Sequence, residues 1–139
     1  LPELHPTYVG SVEQIPLPDA SMDVVLCAEV LEHLPYERFT QCLSEIERVA
    51  HQGAVISLPY WGYTIRAVID LPLLKIRRAW KLPFTKEIPP NGVHCWEFGR
   101  TGYPLKRIVA DIERYFDIEE RGLSPWMPYH YFFRLKKKS

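Results

Sequence analysis

The chain has 139 residues, of which 47% are hydrophobic and 24% are charged, and its 17 basic residues balance its 17 acidic ones. This length suits a single domain, and no apolar run approaches the ~20 residues of a membrane-spanning helix. The neutral balance gives no general signature of nucleic-acid or membrane binding. Three cysteines without metal-ligand or CxxC spacing, and the lack of a secretory signal pattern, lead us to expect a cytoplasmic protein with no membrane partner.

The first half of the chain predicts a strand, a helix and a second strand. Residues 22–27 form a continuous apolar run, which is typical of a parallel strand covered on both faces. Apolar residues then recur at helical spacing between Pro35 and Ala50, and Gly53 is the expected helix terminator. Residues 54–58 predict a second short buried strand. This order predicts a parallel βαβ unit and therefore an α/β fold.

Residues 60–93 interrupt this regular alternation, because they mix prolines with aromatic and basic side chains. We predict one or two short helices here, forming a lid or substrate-binding insertion, since long irregular segments in compact domains are usually functional lids or disordered. The excess of basic side chains leaves two interpretations open. They bind an anionic acceptor, or they form an ordinary solvated surface.

The last third of the chain returns to regular patterns. Residues 101–115 have a helical period and predict a second crossover helix. Residues 116–121 and 129–135 predict an antiparallel strand pair at a sheet edge. The basic residues 136–138 are expected to form a solvated tail.

Several segments together resemble the class I S-adenosylmethionine-dependent methyltransferases, in the small-molecule branch that includes ubiquinone-biosynthesis O-methyltransferases. Residues 10–25 look like the third strand, loop and fourth strand of that family, and residues 29–33, EVLEH, look like the segment that follows. Residues 48–59 resemble its helix end, turn and fifth strand, and residues 95–98, CWEF, continue the pattern. The resemblance implies a Rossmann-like sheet, S-adenosylmethionine as cofactor and a small-molecule methyl acceptor as partner.

One part of the family pattern has no counterpart in this sequence, namely the glycine-rich GxGxG loop and the acidic residue that holds the ribose. The resemblance therefore implies a single, N-terminally truncated domain over residues 1–139. Residues 7–12, predicted as a strand, would then lack a neighbour, and an unpaired strand is costly to bury. Either upstream residues exist in the natural protein, or this strand pairs with another chain in a homo-oligomer. A non-catalytic fragment or self-association module is the alternative to an active enzyme.

The resemblance also implies cofactor contacts. Ser11 and Val12 match positions that meet the adenine, and Ala28 matches a contact to the methionine moiety. The family commonly has an acidic residue at the position of Ser11, and a hydroxyl is a weaker acceptor than a carboxylate. Glu29 and His33, which follow on the same sheet edge, complete the expected cofactor-binding set.

Two further roles are open at this edge. Glu29, Glu32 and His33 occur at i, i+3 and i+4, so one helical turn could present all three to a metal ion. We favour no metal, with the glutamates orienting the loop and His33 hydrogen-bonding near the cofactor. His94 is the candidate general base if it reaches a substrate hydroxyl with a pKa near ~6.5. A structural histidine is the alternative there.

Aromatic side chains are the candidates for an acceptor pocket. Tyr60, Trp61 and Trp96 are predicted to wall it, and packing in the core or under the lid is the alternative interpretation. Methyl transfer needs mainly alignment of acceptor and donor, so the absence of a catalytic triad is no objection. Methylation of nucleic acid through the basic segment is a third possibility, although we do not expect a nucleic-acid partner.

Overall fold

The computed structural model describes residues 7–82 and 93–138. Within them, a four-stranded mixed sheet in the order β1-β2-β6-β5 is accompanied by a separate two-stranded sheet, β3-β4. The strands are β1 (Met22–Ala28), β2 (Ala50–Pro59), β3 (Tyr63–Leu71), β4 (Leu74–Leu82), β5 (Phe116–Leu123) and β6 (His130–Lys137). The helices are α1 (Phe39–Val49) and α2 (Leu105–Ile112), with 3-10 turns at Leu31–His33 and Tyr36–Arg38.

The predicted βαβ unit is present as β1, α1 and β2. Strands β1 and β2 are parallel, with Cys27 opposite Ile56, and the apolar stripe of α1 is buried in the core. The helix begins at Phe39 rather than near Pro35, because the chain after Pro35 first closes a tighter turn in which Arg38 N donates to Pro35 O over 2.9 Å.

Gly53 is not the helix terminator that the sequence predicted, because β2 already begins at Ala50. A Cβ atom on Gly53 would lie 2.0 Å from the carbonyl oxygen of Leu135 in β6. Glycine is therefore required here by the close approach of two strand backbones.

Strand β1 is covered on one face only, so the prediction of a strand buried on both faces is wrong for the described residues. Cys27 faces the core that also holds residues of α1 and α2. Val24 and Leu26 point the other way and are 54% and 72% exposed. No described helix packs on that face, and among the described strands β1 pairs only with β2. The side chains of the continuous apolar run thus point alternately to the core and to the exposed face of β1.

The helical lid predicted for residues 60–93 is also wrong where the structure describes it, because β3 and β4 form an antiparallel hairpin that turns at Pro72 and Leu73. The side chains alternate with period two. Arg66, Lys75, Arg77 and Lys81 share one face, whereas the opposite face is apolar apart from Arg78. Residues 83–92 of the predicted insertion lie outside the described residues.

The C-terminal antiparallel pair is confirmed, and β6 inserts between β2 and β5 rather than lying at the edge. Helix α2 is shorter than predicted, since it begins after Pro104 and the chain turns at Tyr115, whose amide bonds Ile112 O. Lys137 does not belong to a solvated tail, because its Nζ atom donates to the carbonyl oxygens of Glu47 and Ala50 at 2.8 and 3.0 Å.

The strand predicted for residues 7–12 does not form, and a single bridge between Ser11 and Gln14 replaces it. Arg48 of α1 holds the following loop by donating to the carbonyl oxygens of Ile15 and Leu17 at 2.9 and 2.8 Å. Side-chain donors therefore fix residues 15–17, whereas residues 7–12 pair with no other strand among the described residues. None of the helices in the described ranges has the length and apolar character of a transmembrane span.

Candidate functional site

Three strands bring polar side chains to the sheet edge at which β1 and β2 end. Glu29 follows β1 with a positive φ of 53°, which ends the strand abruptly. Its Oε1 atom accepts a hydrogen bond from Ser57 of β2 over 2.8 Å and lies 3.0 Å from His130 Nδ1 at the start of β6. His130 was missed in the sequence, because only the antiparallel pairing of β6 with β2 brings it to this edge.

Glu32 is the most unusual side chain of the region. It lies in the turn after β1 with 0% exposure, and neither carboxylate oxygen has a hydrogen-bond partner among the described residues. Burial, reinforced by the nearby charge of Glu29, raises the pKa of Glu32, although His33 and His94 act in the opposite direction. A buried carboxylate without donors is costly to keep charged.

Two histidines lie next to this carboxylate. His33 Nε2 is 3.9 Å from Glu32 Oε1, and His33 Nδ1 is 3.0 Å from the carbonyl oxygen of Val93. The ring of His94 meets that of His33 edge-on, with 4.9 Å between centroids. The structure thus brings the predicted residues His33 and His94 together from segments that are far apart in the sequence.

Glu97 anchors His94. Its Oε1 atom is 3.0 Å from His94 Nδ1, and its Oε2 atom accepts a hydrogen bond from Arg100 Nε over 2.7 Å. Tyr129 lies near the same carboxylates, and burial together with the charges of Glu97, Glu29 and Glu32 raises its pKa to about 12. The sequence analysis gave no role to Glu97 or Arg100. His94, Glu97 and Arg100 follow one another at intervals of three residues, and this spacing could have indicated that they interact.

The predicted metal ligands need a correction. The left-handed backbone at Glu29 prevents one continuous helical turn from Glu29 to His33, and the Glu29 carboxylate is committed to Ser57 and His130. His94 takes its place beside Glu32 and His33, so that three potential ligand atoms lie within 4.8 Å of one another.

The residues predicted to contact the adenine lie in the N-terminal segment, outside the cluster around Glu32. Ser11 is exposed in a turn and donates to Glu13 Oε2 over 3.3 Å, whereas Val12 is half-buried and packs against the core. Ala28 is exposed at the end of β1. The roles of these residues, and those of Glu29 and His33 in cofactor binding, remain predictions.

The aromatic candidates divide into two groups. Trp96 is 1% exposed, packs edge-on against Tyr36 and Phe39, and donates its Nε1 hydrogen to Leu34 O over 3.1 Å. Its prediction as a pocket wall is therefore wrong, because it is a core residue. Tyr60 and Trp61 are half-buried beside the site and stay candidates for acceptor contacts.

Two backbone hydrogen bonds tie these aromatics to the histidine segment, from Trp61 N to Phe98 O over 2.8 Å and from Phe98 N to Pro59 O over 3.1 Å. The Arg100 guanidinium lies 4.4 Å above the Trp61 ring. Burial raises the pKa of the Tyr60 hydroxyl. The acidic and histidine cluster and the two aromatics therefore form one continuous region.

This edge of the sheet lies partly in a segment that is similar to a known protein family. The sequence model of the family described as a methyltransferase domain matches residues 2–58. The predicted resemblance to the methyltransferase family is confirmed over these residues. The matched segment contains β1, α1 and nearly all of β2, and therefore the turn that carries Glu29, Glu32 and His33.

The fold of this chain has solved counterparts. The PH0226 protein from Pyrococcus horikoshii OT3 superposes with a TM-score of 0.56 at 13% identity, covering 94% of this chain and 58% of that one. Magnesium protoporphyrin IX methyltransferase from Synechocystis PCC 6803, solved with bound SAH, gives a TM-score of 0.47 at 16% identity over 93% of this chain and 49% of its own. The Rossmann-like fold predicted from the sequence is confirmed.

A curated relative is uncharacterised. It is a 37.1 kDa protein in transposon TN4556 of Streptomyces fradiae, 31% identical over 105 residues. The aligned part is 74% of this chain and 27% of that protein. The chain therefore spans about a quarter of this relative and 58% of the archaeal structure.

Proposed function

We propose that the chain is part of an S-adenosylmethionine-dependent enzyme that methylates a small-molecule acceptor at the edge formed by β1, β2 and β6. The observation that carries this proposal is the position of the family match, which contains the parallel strands β1 and β2 and the turn with Glu29, Glu32 and His33. In open α/β sheets, ligands bind outside the carboxyl ends of the parallel strands. Ala28 and Glu29 lie at that position in β1.

The charges of the edge fit a cationic methyl donor. Glu29, Glu32 and Glu97 are three carboxylates within one region, and among them only Glu97 has an arginine partner. A cluster of negative charge raises the local concentration of a cation such as a sulfonium. The cofactor would supply the activated methyl group, while Ala28, Glu29 and His33 hold and orient it.

The acceptor would lie on the side of His94. Glu97 accepts the Nδ1 hydrogen of this ring, so Nε2 is the nitrogen without a proton in the neutral ring. Tyr60 and Trp61 lie on the strand-end segment bonded to residues 97–98 and supply apolar contact area. His94 would then receive the proton of an acceptor hydroxyl as the methyl group is transferred.

The test uses the full-length natural protein. Isothermal titration with S-adenosylmethionine measures cofactor binding, and transfer of label from methyl-tritiated cofactor to small-molecule, RNA and protein fractions measures acceptor class. We expect binding, and label in the small-molecule fraction. Glu29→Gln should weaken cofactor binding, whereas the control Glu119→Gln, an exposed carboxylate of β5 paired with Arg134, should not.

A folded full-length protein that binds no cofactor would overturn the proposal. Label confined to RNA, with binding that falls steeply as salt rises, would replace the small-molecule acceptor by a nucleic acid. The far-ultraviolet circular dichroism of the same sample shows in each case whether the protein is folded.

Self-association is a second candidate, favoured by the exposed apolar side chains Val24 and Leu26 on β1. Residues 7–12 form no strand in the single chain, and an interface at that segment stays a prediction. Exposed edge strands are templates for pairing with another chain. Sedimentation equilibrium at increasing concentration tests this, and Leu26→Lys should shift the population to monomer if β1 forms the interface.

A further inference from the structure

Potential metal ligands from two distant segments converge beside the candidate site. Glu32 and His33 belong to the turn after β1, and Cys95 N, next to His94, donates to Glu32 O over 2.8 Å, which fixes the second segment against the first. One carboxylate oxygen and one ring nitrogen from each histidine lie within 4.8 Å of one another. Two imidazoles with one carboxylate form a ligand set common to transition-metal sites.

An independent observation points to a missing partner at the same place. Glu32 is fully buried, yet neither of its carboxylate oxygens accepts a hydrogen bond within the described ranges. Buried polar atoms in native proteins are rarely left in this state. Arg100 does not compensate the charge, because its guanidinium donates to Glu97.

The histidine rings are held in the orientation that metal ligands need. Val93 O and Glu97 Oε1 are acceptors, so His33 and His94 both use Nδ1 as the donor in these contacts. In a neutral ring the lone pair then lies on Nε2. Histidine ligands characteristically donate their second nitrogen to a backbone carbonyl or a carboxylate in this way.

We propose that Glu32, His33 and His94 form a site for one divalent transition-metal ion, of the zinc or cobalt class. The two nitrogen donors favour these ions over magnesium and calcium, which prefer oxygen ligands. Ligand atoms around a tetrahedral zinc ion lie about 3.4 Å apart for bonds of about 2.1 Å. His33 is half exposed and can make the small closure required, because only Glu32 is locked in the core.

The proposed ion site shares His33 and His94 with the proposed methyl-transfer site, but its existence does not depend on that function. Three protein ligands leave positions for water or an acceptor oxygen, whose proton a bound ion would acidify. His94 would then be a ligand rather than the group that receives the proton. Metal binding can nevertheless be measured without cofactor or acceptor, so failure of one proposal does not decide the other.

The test is a metal titration of the full-length protein after dialysis against a chelator. Zinc is titrated in competition with a chromophoric chelator, and cobalt is followed by its visible absorption. We expect one tight site per chain that millimolar magnesium does not occupy. Glu32→Gln and His33→Ala should each weaken zinc binding by more than the roughly 10- to 100-fold typical of outer-shell changes, and Glu97→Gln by about that amount.

Two control variants separate this site from surface binding. His51→Ala removes an exposed histidine that lies 3.9 Å from Asp23, and Cys95→Ser removes the exposed thiol nearest the site. Both should leave zinc affinity unchanged. Thermal unfolding provides a second measurement, since zinc should raise the Tm of the unmodified protein but not that of Glu32→Gln.

Three outcomes would overturn the proposal. They are the absence of stoichiometric zinc or cobalt binding by the folded protein, affinity unchanged in Glu32→Gln, and loss of affinity in His51→Ala or Cys95→Ser equal to that in His33→Ala. If Glu32→Gln does not fold, the half-exposed His33 variant alone decides between these results.

Discussion

The hydroxyl of Tyr36 donates a hydrogen bond to Asp111 Oδ2 over 2.6 Å and thereby joins the turn before α1 to helix α2. The ring of Tyr36 also lies under the guanidinium of Arg107, 4.3 Å from its centroid. This residue therefore links the two helices that cover the sheet. Burial and the Asp111 carboxylate raise the pKa of Tyr36 above its ordinary value.

Tyr36→Phe should reduce the free energy of unfolding by about 1 kcal/mol, because the Asp111 carboxylate loses a donor. Urea denaturation measures the change. Tyr103→Phe is the control, since its hydroxyl has no hydrogen bond among the described residues. Because the folded-state pKa of Tyr36 is raised, its contribution is complete below the unfolded-state pKa near ~10 and is lost at higher pH. Equal effects of the two variants would contradict this role.

Gly53→Ala should destabilise the sheet by about 1–3 kcal/mol, because the added Cβ would meet Leu135 O at 2.0 Å and push β2 from β6. Thermal unfolding of the purified variant measures the effect. Gly122→Ala is the matched control in the neighbouring strand β5, where an added Cβ has no atom within 4 Å. If both variants unfold at the same temperature, the close approach of β2 and β6 does not make glycine necessary for the stability of the sheet.

Arg48 of α1 holds the N-terminal loop and is paired with Glu45. The stability that this arrangement contributes should fall at acidic pH. Hydrogen bonds from Arg48 lower the pKa of Glu45, so its contribution is complete above the unfolded-state value near ~4.3 and is lost as the pH falls through the lower folded-state value. Glu45→Gln should therefore be less stable than the unmodified protein at pH 7, with the difference shrinking below pH ~4.

Urea denaturation between pH 3 and 7 follows this difference. Glu37→Gln serves as control, because Glu37 is exposed and has no ion pair among the described residues. A stability difference for Glu45→Gln that is independent of pH would rule out an electrostatic clamp.

His94→Gln tests the acceptor side of the site. If His94 receives the acceptor proton, kcat should fall by roughly 10²- to 10⁴-fold with little change in KM. In that case the rate of the unmodified enzyme should be the same with and without chelator. If His94 holds a metal instead, the unmodified enzyme should lose activity on chelation. His51→Gln, a remote exposed histidine, should leave kcat unchanged.

The sequence predicted the β1, α1 and β2 unit because its helix has an unbroken period and its strands are flanked by clear turns. The hairpin was missed because neighbouring apolar pairs, such as Val68 with Ile69 and Leu73 with Leu74, fit helical and strand periods equally well. Only the pairing of β3 with β4 decides between them.

The site was predicted in part for a similar reason. The motif at residues 29–33 indicated the turn that carries Glu32 and His33, but neither the burial of Glu32 nor the positive φ of Glu29 can be inferred from local pattern. Contacts such as His130 with Glu29 depend on strand order, which the sequence constrained only through the βαβ unit.

The insertion of β6 between β2 and β5 has a consequence for synthesis on the ribosome. Strand β2 is the most deeply buried strand, yet the partner on its second side begins at His130, about 70 residues after β2 ends. At usual elongation rates of 5–20 residues per second, the nascent chain carries β2 without that partner for roughly 4–14 s. Strand β2 therefore presents an unpaired edge until β6 has been synthesised.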